Sequence, residues 1–117
     1  MKNIVLTIGL LLSITSCVQK TYQRKVVFNL DVKGIKNVYK VGIRGENKPL
    51  NWNQDLELKI GKDSIYSTTI TFETGYKFAQ FKFVVNDNFE LQEKDNRRIY
   101  FVENGTTIVN ARFNVLK

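Results

Sequence analysis

Apolar and polar residues alternate with a period of two from Lys25 to the end of the chain, which is the pattern of half-buried β-strands. No segment shows a helical period. The alternation predicts five main strands, at Val26–Val32, Leu56–Ile60, Tyr66–Phe72, Phe81–Val85 and Val109–Val115. Shorter candidates lie at residues 38–44 and 98–102.

Turn-forming residues separate these runs. Gly61-Lys62-Asp63 and Asn86-Asp87-Asn88 have the composition of hairpin loops, and Asn104-Gly105 is the dipeptide preferred in type I′ turns. About seven short strands at turn spacing predict an all-β fold, an antiparallel immunoglobulin-like β-sandwich. A small barrel of the OB-fold type is the alternative.

The first residues have the pattern of a secretory signal. Lys2 precedes an apolar run from Ile4 to Ile14, and Thr15-Ser16-Cys17 follows. The run of about 11 residues is too short to span a bilayer. Its end resembles the lipobox of bacterial lipoproteins, which implies cleavage before Cys17 and lipidation of that cysteine. An ordinary signal peptide followed by a chance cysteine is the alternative.

This interpretation divides the chain into a signal peptide at residues 1–16, a tether at residues 17–24 and one domain at residues 25–117. We therefore expect an exported protein anchored to a lipid membrane through acylated Cys17. Val18 rather than Asp follows the cysteine, so the familiar signal for inner-membrane retention is missing. The outer membrane is the expected location.

The amino-acid composition limits the kinds of catalytic and metal site that the chain can form. The chain has no histidine, which excludes Ser-His-Asp and Cys-His nucleophilic sites and His-containing zinc sites. Cys17 is the only thiol, and lipidation would consume it. The 11 acidic residues are scattered along the chain, as solvated surface residues are. We predict no catalytic residues, no metal and no cofactor, and hence a protein that is not an enzyme.

The balance of charge is basic. The formal net charge is +7, and removing Lys2 with the signal leaves 17 basic against 11 acidic groups, or +6. Lysines interleaved with aromatic residues, as in Phe81-Lys82-Phe83, occur in single-strand nucleic-acid sites. An exported and tethered chain more plausibly faces anionic lipid. Nucleic acid is therefore not an expected partner.

Four segments follow one another in an order that suggests a family. They are Val38–Gly45, Pro49–Asn53, Gly75 with Gln80–Val84, and Phe89–Arg97. In order and approximate spacing they resemble the starch-binding domains (family 20 carbohydrate-binding modules) and the related glycogen-binding modules. The likeness covers roughly residues 25–103. It implies a β-sandwich that binds starch or another α-glucan without catalysis.

The resemblance also implies roles for individual residues. Trp52 would be the platform on which a sugar ring stacks, Lys82 a donor to sugar hydroxyls, and Asn96 a further donor and acceptor. Family members usually carry a second tryptophan in the fourth segment, whereas Trp52 is the only one here. Gap-free alignment puts Leu91 at that position. A two-residue insertion puts Phe89 there and retains Glu90.

Each of these residues also has an interpretation without a ligand. Trp52 can be a loop residue packed onto the core, because tryptophan is highly buried on average. Strand alternation alone places Lys82 on the solvent face. Asn96 and Arg97 can fix a turn before the next strand. The competing function is therefore a structural or interaction lipoprotein of the envelope, with a protein partner and no sugar.

Overall fold

The computed structural model describes residues 20–116. The predicted signal peptide and the predicted lipidation site at Cys17 lie outside these residues, as does residue 117. None of the described residues belongs to a helix that could span a bilayer.

The described residues form nine β-strands and no helix. The strands are β1 (Tyr22–Asp31), β2 (Val41–Gly45), β3 (Leu56–Glu57), β4 (Lys59–Ile60), β5 (Ile65–Thr74), β6 (Phe78–Val85), β7 (Asn88–Phe89), β8 (Arg97–Tyr100) and β9 (Thr106–Arg112). Three of them are only two residues long, so six strands make up most of the fold.

The strands form two sheets. The four-stranded sheet has the order β4-β5-β1-β9. The five-stranded sheet has the order β3-β2-β6-β7, and β8 pairs with the first half of β6. The predicted all-β sandwich is therefore confirmed. One pair differs from the antiparallel prediction, because β9 runs parallel to β1, with Lys25 opposite Thr106 and Asp31 opposite Arg112.

The inward faces of the strands meet in one aromatic core. Phe28 of β1 lies at its centre, with ring centroids 6.3 Å from Phe72 of the same sheet. Across the sandwich, its centroid lies 5.0 Å from Phe81 and 6.3 Å from Phe83. All four rings are fully buried. Each belongs to a run of alternating residues, so the predicted inward faces of β1, β5 and β6 are confirmed.

The run Leu56–Ile60 differs from the prediction of a single strand. Its first two residues pair with β2 in one sheet, and Lys59 and Ile60 pair with β5 in the other. Leu58 lies between them, buried, and its backbone N–H donates to Val41 O. The alternating pattern here therefore belongs to a segment that passes from one sheet to the other at the buried Leu58.

Two further features differ from the predictions. β1 begins at Tyr22, three residues before the predicted start of the domain, so Tyr22, Gln23 and Arg24 belong to the sheet. The backbone of Tyr22–Arg24 pairs with Phe72–Thr74 of β5, which extends the strand beyond its apolar run. Gly105 has the positive φ of a tight turn. The strands on either side of it lie in different sheets, so the turn links the two sheets and forms no hairpin.

Candidate functional site

The outer face of the five-stranded sheet carries most of the residues predicted to bind a ligand. Val41 and Ile43 of β2 point into the core, so Gly42 and Arg44 point outward. On β6 the inward residues are Ala79, Phe81, Phe83 and Val85, and the outward residues are Phe78, Gln80, Lys82 and Val84. Arg44 and Lys82 face each other across the β2–β6 ladder.

Trp52 lies on this outer face and is not part of the core cluster. Its indole Nε1–H donates to Glu46 Oε2 over 2.8 Å. The centre of its ring lies 6.5 Å from that of Phe89, with a tilt of 50°. The indole is partly exposed. The alternative of a tryptophan packed into the core does not hold, and Trp52 and Phe89 form an aromatic pair at the surface.

A charged cluster holds the loop that carries Trp52. Arg44 Nε donates to Asp55 Oδ1 over 2.6 Å, and Arg44 Nη1 donates to the carbonyl of Trp52 over 3.2 Å. The same guanidinium lies 5.1 Å from the centre of the Phe89 ring. Arg44 therefore fixes both members of the aromatic pair relative to β2.

Gly42 makes this cluster possible. A Cβ atom at this position would lie 2.7 Å from Asp55 Cβ, so only glycine lets the aspartate lie flat on the sheet. Lys40 Nζ lies 3.4 Å from Asp55 Oδ2 and 2.9 Å from Asp87 Oδ1. The hydrogen bond to Asp87, the charge of Asp87 and then Asp55 raise the pKa of Lys40 above its ordinary value.

Lys82 points outward, as the alternation of β6 predicts. Its ammonium group donates to two backbone carbonyls, that of Leu91 over 3.0 Å and that of Lys94 over 2.9 Å. Leu91 and Glu93 have positive φ angles of 50° and 65°. The lysine thus holds a tightly turned loop against the sheet, and two of its three donors serve the protein itself.

Glu90 and Leu91 are buried, so they offer a ligand almost no accessible surface. Glu90 Oε2 accepts from Arg97 Nε over 2.6 Å and from the backbone N–H of Phe83 over 2.9 Å. Glu90 Oε1 accepts from Arg97 Nη2 over 2.8 Å. The carboxylate that the resemblance placed in a ligand site is therefore an internal anchor in this structure.

Asn96 is exposed and lies next to the start of β8. It lines an open groove of about 470 Å³ together with Gln80, Asp95 and Arg98. Gln80 and Arg98 face each other across the β6–β8 ladder. Asn96 is therefore accessible to a ligand, but its neighbours are these residues and not Trp52.

Sequence reasoning missed Arg44 and Glu46, which orient Trp52, and the partly exposed ring of Phe78. The alternation that placed Phe81 inward also places Phe78 and Gln80 on the face of Lys82. The outward position of Phe78 was therefore predictable from the sequence. The Glu46–Trp52 hydrogen bond was not predictable from the sequence, because it depends on how the loop between β2 and β3 folds back.

The described residues offer no cluster of three or more groups suited to hold a metal ion. What the outer face offers is a fixed aromatic pair, surrounded by guanidinium, carboxylate and amide groups. No family model matches the chain, and no curated protein is similar to it.

Proposed function

We propose that this protein is a non-catalytic carbohydrate-binding module, specific for α-glucan chains and held at the bacterial envelope by a lipid on Cys17. The observation that carries the proposal is the position of Trp52. Its partly exposed indole lies on the outer face of the sheet and is oriented by Glu46. The ordered resemblance of four segments to starch-binding domains supports the same function.

The chemistry of sugar rings matches a partly exposed indole at the protein surface. A pyranose ring presents an apolar C–H face, which stacks on a flat aromatic ring, and a rim of hydroxyl groups. An indole is large and rigid, so stacking costs it little conformational entropy. The Glu46 hydrogen bond and the Arg44 contact to the Trp52 carbonyl reduce that cost further.

The polar partners differ from those that the resemblance implies. Lys82 uses two donors on backbone carbonyls, and Glu90 is inaccessible. Glu46 and Arg44 lie beside Trp52 instead. In our proposal these two residues orient the sugar on Trp52, and Phe89 supports the indole from the side.

The first test uses the only tryptophan of the chain. In the detergent-solubilised full chain, titration with maltoheptaose is expected to change the tryptophan emission. Trp52→Ala should weaken binding, measured by calorimetry, roughly 30-fold or more, as the loss of an aromatic anchor that the ligand covers does. Retardation by amylopectin in a native gel run toward the cathode should disappear in the same variant.

Tyr39→Ala is the matched control. Tyr39 is 73 % exposed, and it lines a groove with Ile60 and Tyr66 that contains neither Trp52 nor Phe89. It should bind like the unmodified protein. Failure of the unmodified protein to bind any glucan contradicts the proposed function, as does full binding by Trp52→Ala.

The lipid anchor has a separate test. Cys17→Ala is expected to abolish fatty-acid labelling and to release the protein from the membrane fraction. Because β1 begins at Tyr22, only residues 17–21 connect the lipid to the domain, a reach of about 17 Å. Membrane retention of the unmodified protein without any acyl chain would contradict the anchor.

A second candidate is an interaction lipoprotein that keeps the sandwich and binds no sugar. The observation in its favour is the internal use of Lys82, Glu90 and Leu91, three residues that the resemblance assigned to the ligand. Stable co-purification of one envelope protein, with no retardation by any glucan, is the result that favours it.

A further inference from the structure

A second group of aromatic side chains lies on the outer face, at the opposite end of β6 from Phe89. We call Tyr76, Phe78 and Tyr100 the second platform. Tyr76 is 66 % exposed and Tyr100 is 64 % exposed, which is unusual for large aromatic side chains. None of the three residues belongs to the core cluster.

The register of β6 and β8 brings these rings together. Phe78 lies opposite Tyr100 in the ladder, so their side chains share one face. The ring centroids of Phe78 and Tyr100 are 5.9 Å apart, and those of Tyr76 and Phe78 are 6.2 Å apart. The rings therefore support one another as a continuous aromatic surface.

Arg98 completes the platform. Its guanidinium lies 4.4 Å from the centre of the Phe78 ring, a cation–π contact that leaves the edges of the group available as donors. Among residues 20–116, no carboxylate lies within ion-pair distance of Arg98. The guanidinium is thus stacked in place and can still donate to a ligand.

Open grooves with polar walls flank the second platform. One has a volume of about 390 Å³ and is lined by Glu46, Asn47, Thr74, Tyr76, Phe78 and Gln80. The other is the groove of Asn96, and Gln80 lines both. Within residues 20–116, no hydrogen bond uses the side-chain amide of Gln80 or Asn96. These amides are available for a ligand.

Glu46 connects the second platform to Trp52. Its carboxylate accepts the indole N–H, and the same residue lines the groove beside Tyr76 and Phe78. Its backbone N–H donates to Gln80 O over 3.0 Å, which holds the loop against β6. One continuous surface therefore leads from the Trp52–Phe89 pair through polar groups to the second platform.

We propose that the second platform is a further subsite for the same glucan chain, with Arg98, Gln80 and Asn96 as its polar contacts. This inference rests on the proposed function. Six residue steps of β6 separate Phe78 from Val84, the ladder partner of Phe89, which is about 20 Å along the strand. The ligand that fills both ends is a chain of several sugar units, and maltose is too short.

The chemistry of the surface favours a sugar over an apolar partner surface. Each ring is bordered by a group that donates or accepts hydrogen bonds, and the walls of both grooves carry amide and charged side chains. Pyranose units need this mixture, because every unit combines an apolar face with a hydroxyl rim.

Calorimetric titration of the full chain with maltose and with maltoheptaose tests the inference. The unmodified protein should bind the longer sugar at least about 10-fold more tightly, since linked subsites reinforce each other. The double variant Tyr76→Ala/Tyr100→Ala should lose most of this gain while its affinity for maltose stays unchanged. Both tyrosines are exposed, and an unchanged melting temperature will confirm that the variant folds.

The outcomes separate the inference from the proposed function. If the unmodified protein binds maltoheptaose and the double variant binds it equally well, the second platform is not a subsite and the proposed function stands. If the unmodified protein binds neither sugar, both fail. Tyr39→Ala serves again as the exposed aromatic control, and a loss of affinity in that variant as large as in the double variant also overturns the inference.

Discussion

Replacing Glu90 with alanine is expected to lower the free energy of unfolding by about 3–5 kcal/mol, because it leaves the Arg97 charge buried without its opposite charge. Glu90 is 0 % exposed, and its carboxylate accepts two hydrogen bonds from Arg97. It also accepts the backbone N–H of Phe83 over 2.9 Å and that of Asn114 over 3.3 Å. The variant therefore removes the acceptor of Arg97 Nε and of two backbone N–H groups at once.

The position of the ion pair explains why the loss is large. Arg97 Nη2 also donates to the carbonyls of Arg112 and Val115, each over 2.9 Å. The pair thus ties β6 and β8 of one sheet to the end of β9 in the other sheet and to the segment that follows it. Urea denaturation followed by circular dichroism measures the effect.

Removal of both charges is the informative control. Glu90→Leu/Arg97→Met deletes the pair without leaving a buried charge, so it should be less destabilising than Glu90→Ala. A Glu90→Ala variant with the stability of the unmodified protein would show that the pair contributes nothing. A double variant less stable than Glu90→Ala would locate the contribution in side-chain packing.

The second large effect is expected at Phe28. Phe28→Ala should lower the free energy of unfolding by about 3–5 kcal/mol, through lost transfer free energy and a residual cavity. Its ring lies edge-on to Phe72, Phe81 and Phe83, so the cavity would open between the two sheets. The surrounding rings belong to paired strands, which limits their collapse into the space.

Ile108→Ala provides a matched large-to-small change in the same sheet. Ile108 of β9 is 62 % exposed, and its substitution should change stability by no more than about 0.5 kcal/mol. Equal losses in Phe28→Ala and Ile108→Ala would contradict the assignment of the core to the inner faces of the two sheets.

Some features of the candidate site were predictable and others were not. The outward direction of Lys82 follows from its place between Phe81 and Phe83. What its ammonium group binds does not follow, because the loop at Leu91 and Lys94 must first turn back over the sheet. Likewise, alternation puts Glu90 on the opposite side from Phe89, but it does not show that the Glu90 carboxylate binds Arg97.

The sequence by itself determined the all-β class and the inward faces of β1, β5 and β6, because period-two alternation is a local property of an extended backbone. Only the tertiary structure decided which sheet each half of Leu56–Ile60 joins, that β9 runs parallel to β1, and which partners Glu90 and Trp52 have. These features depend on contacts between segments far apart in the chain. The contacts of a charged or aromatic side chain depend on which distant residues the fold places beside it, and no local sequence pattern specifies those residues.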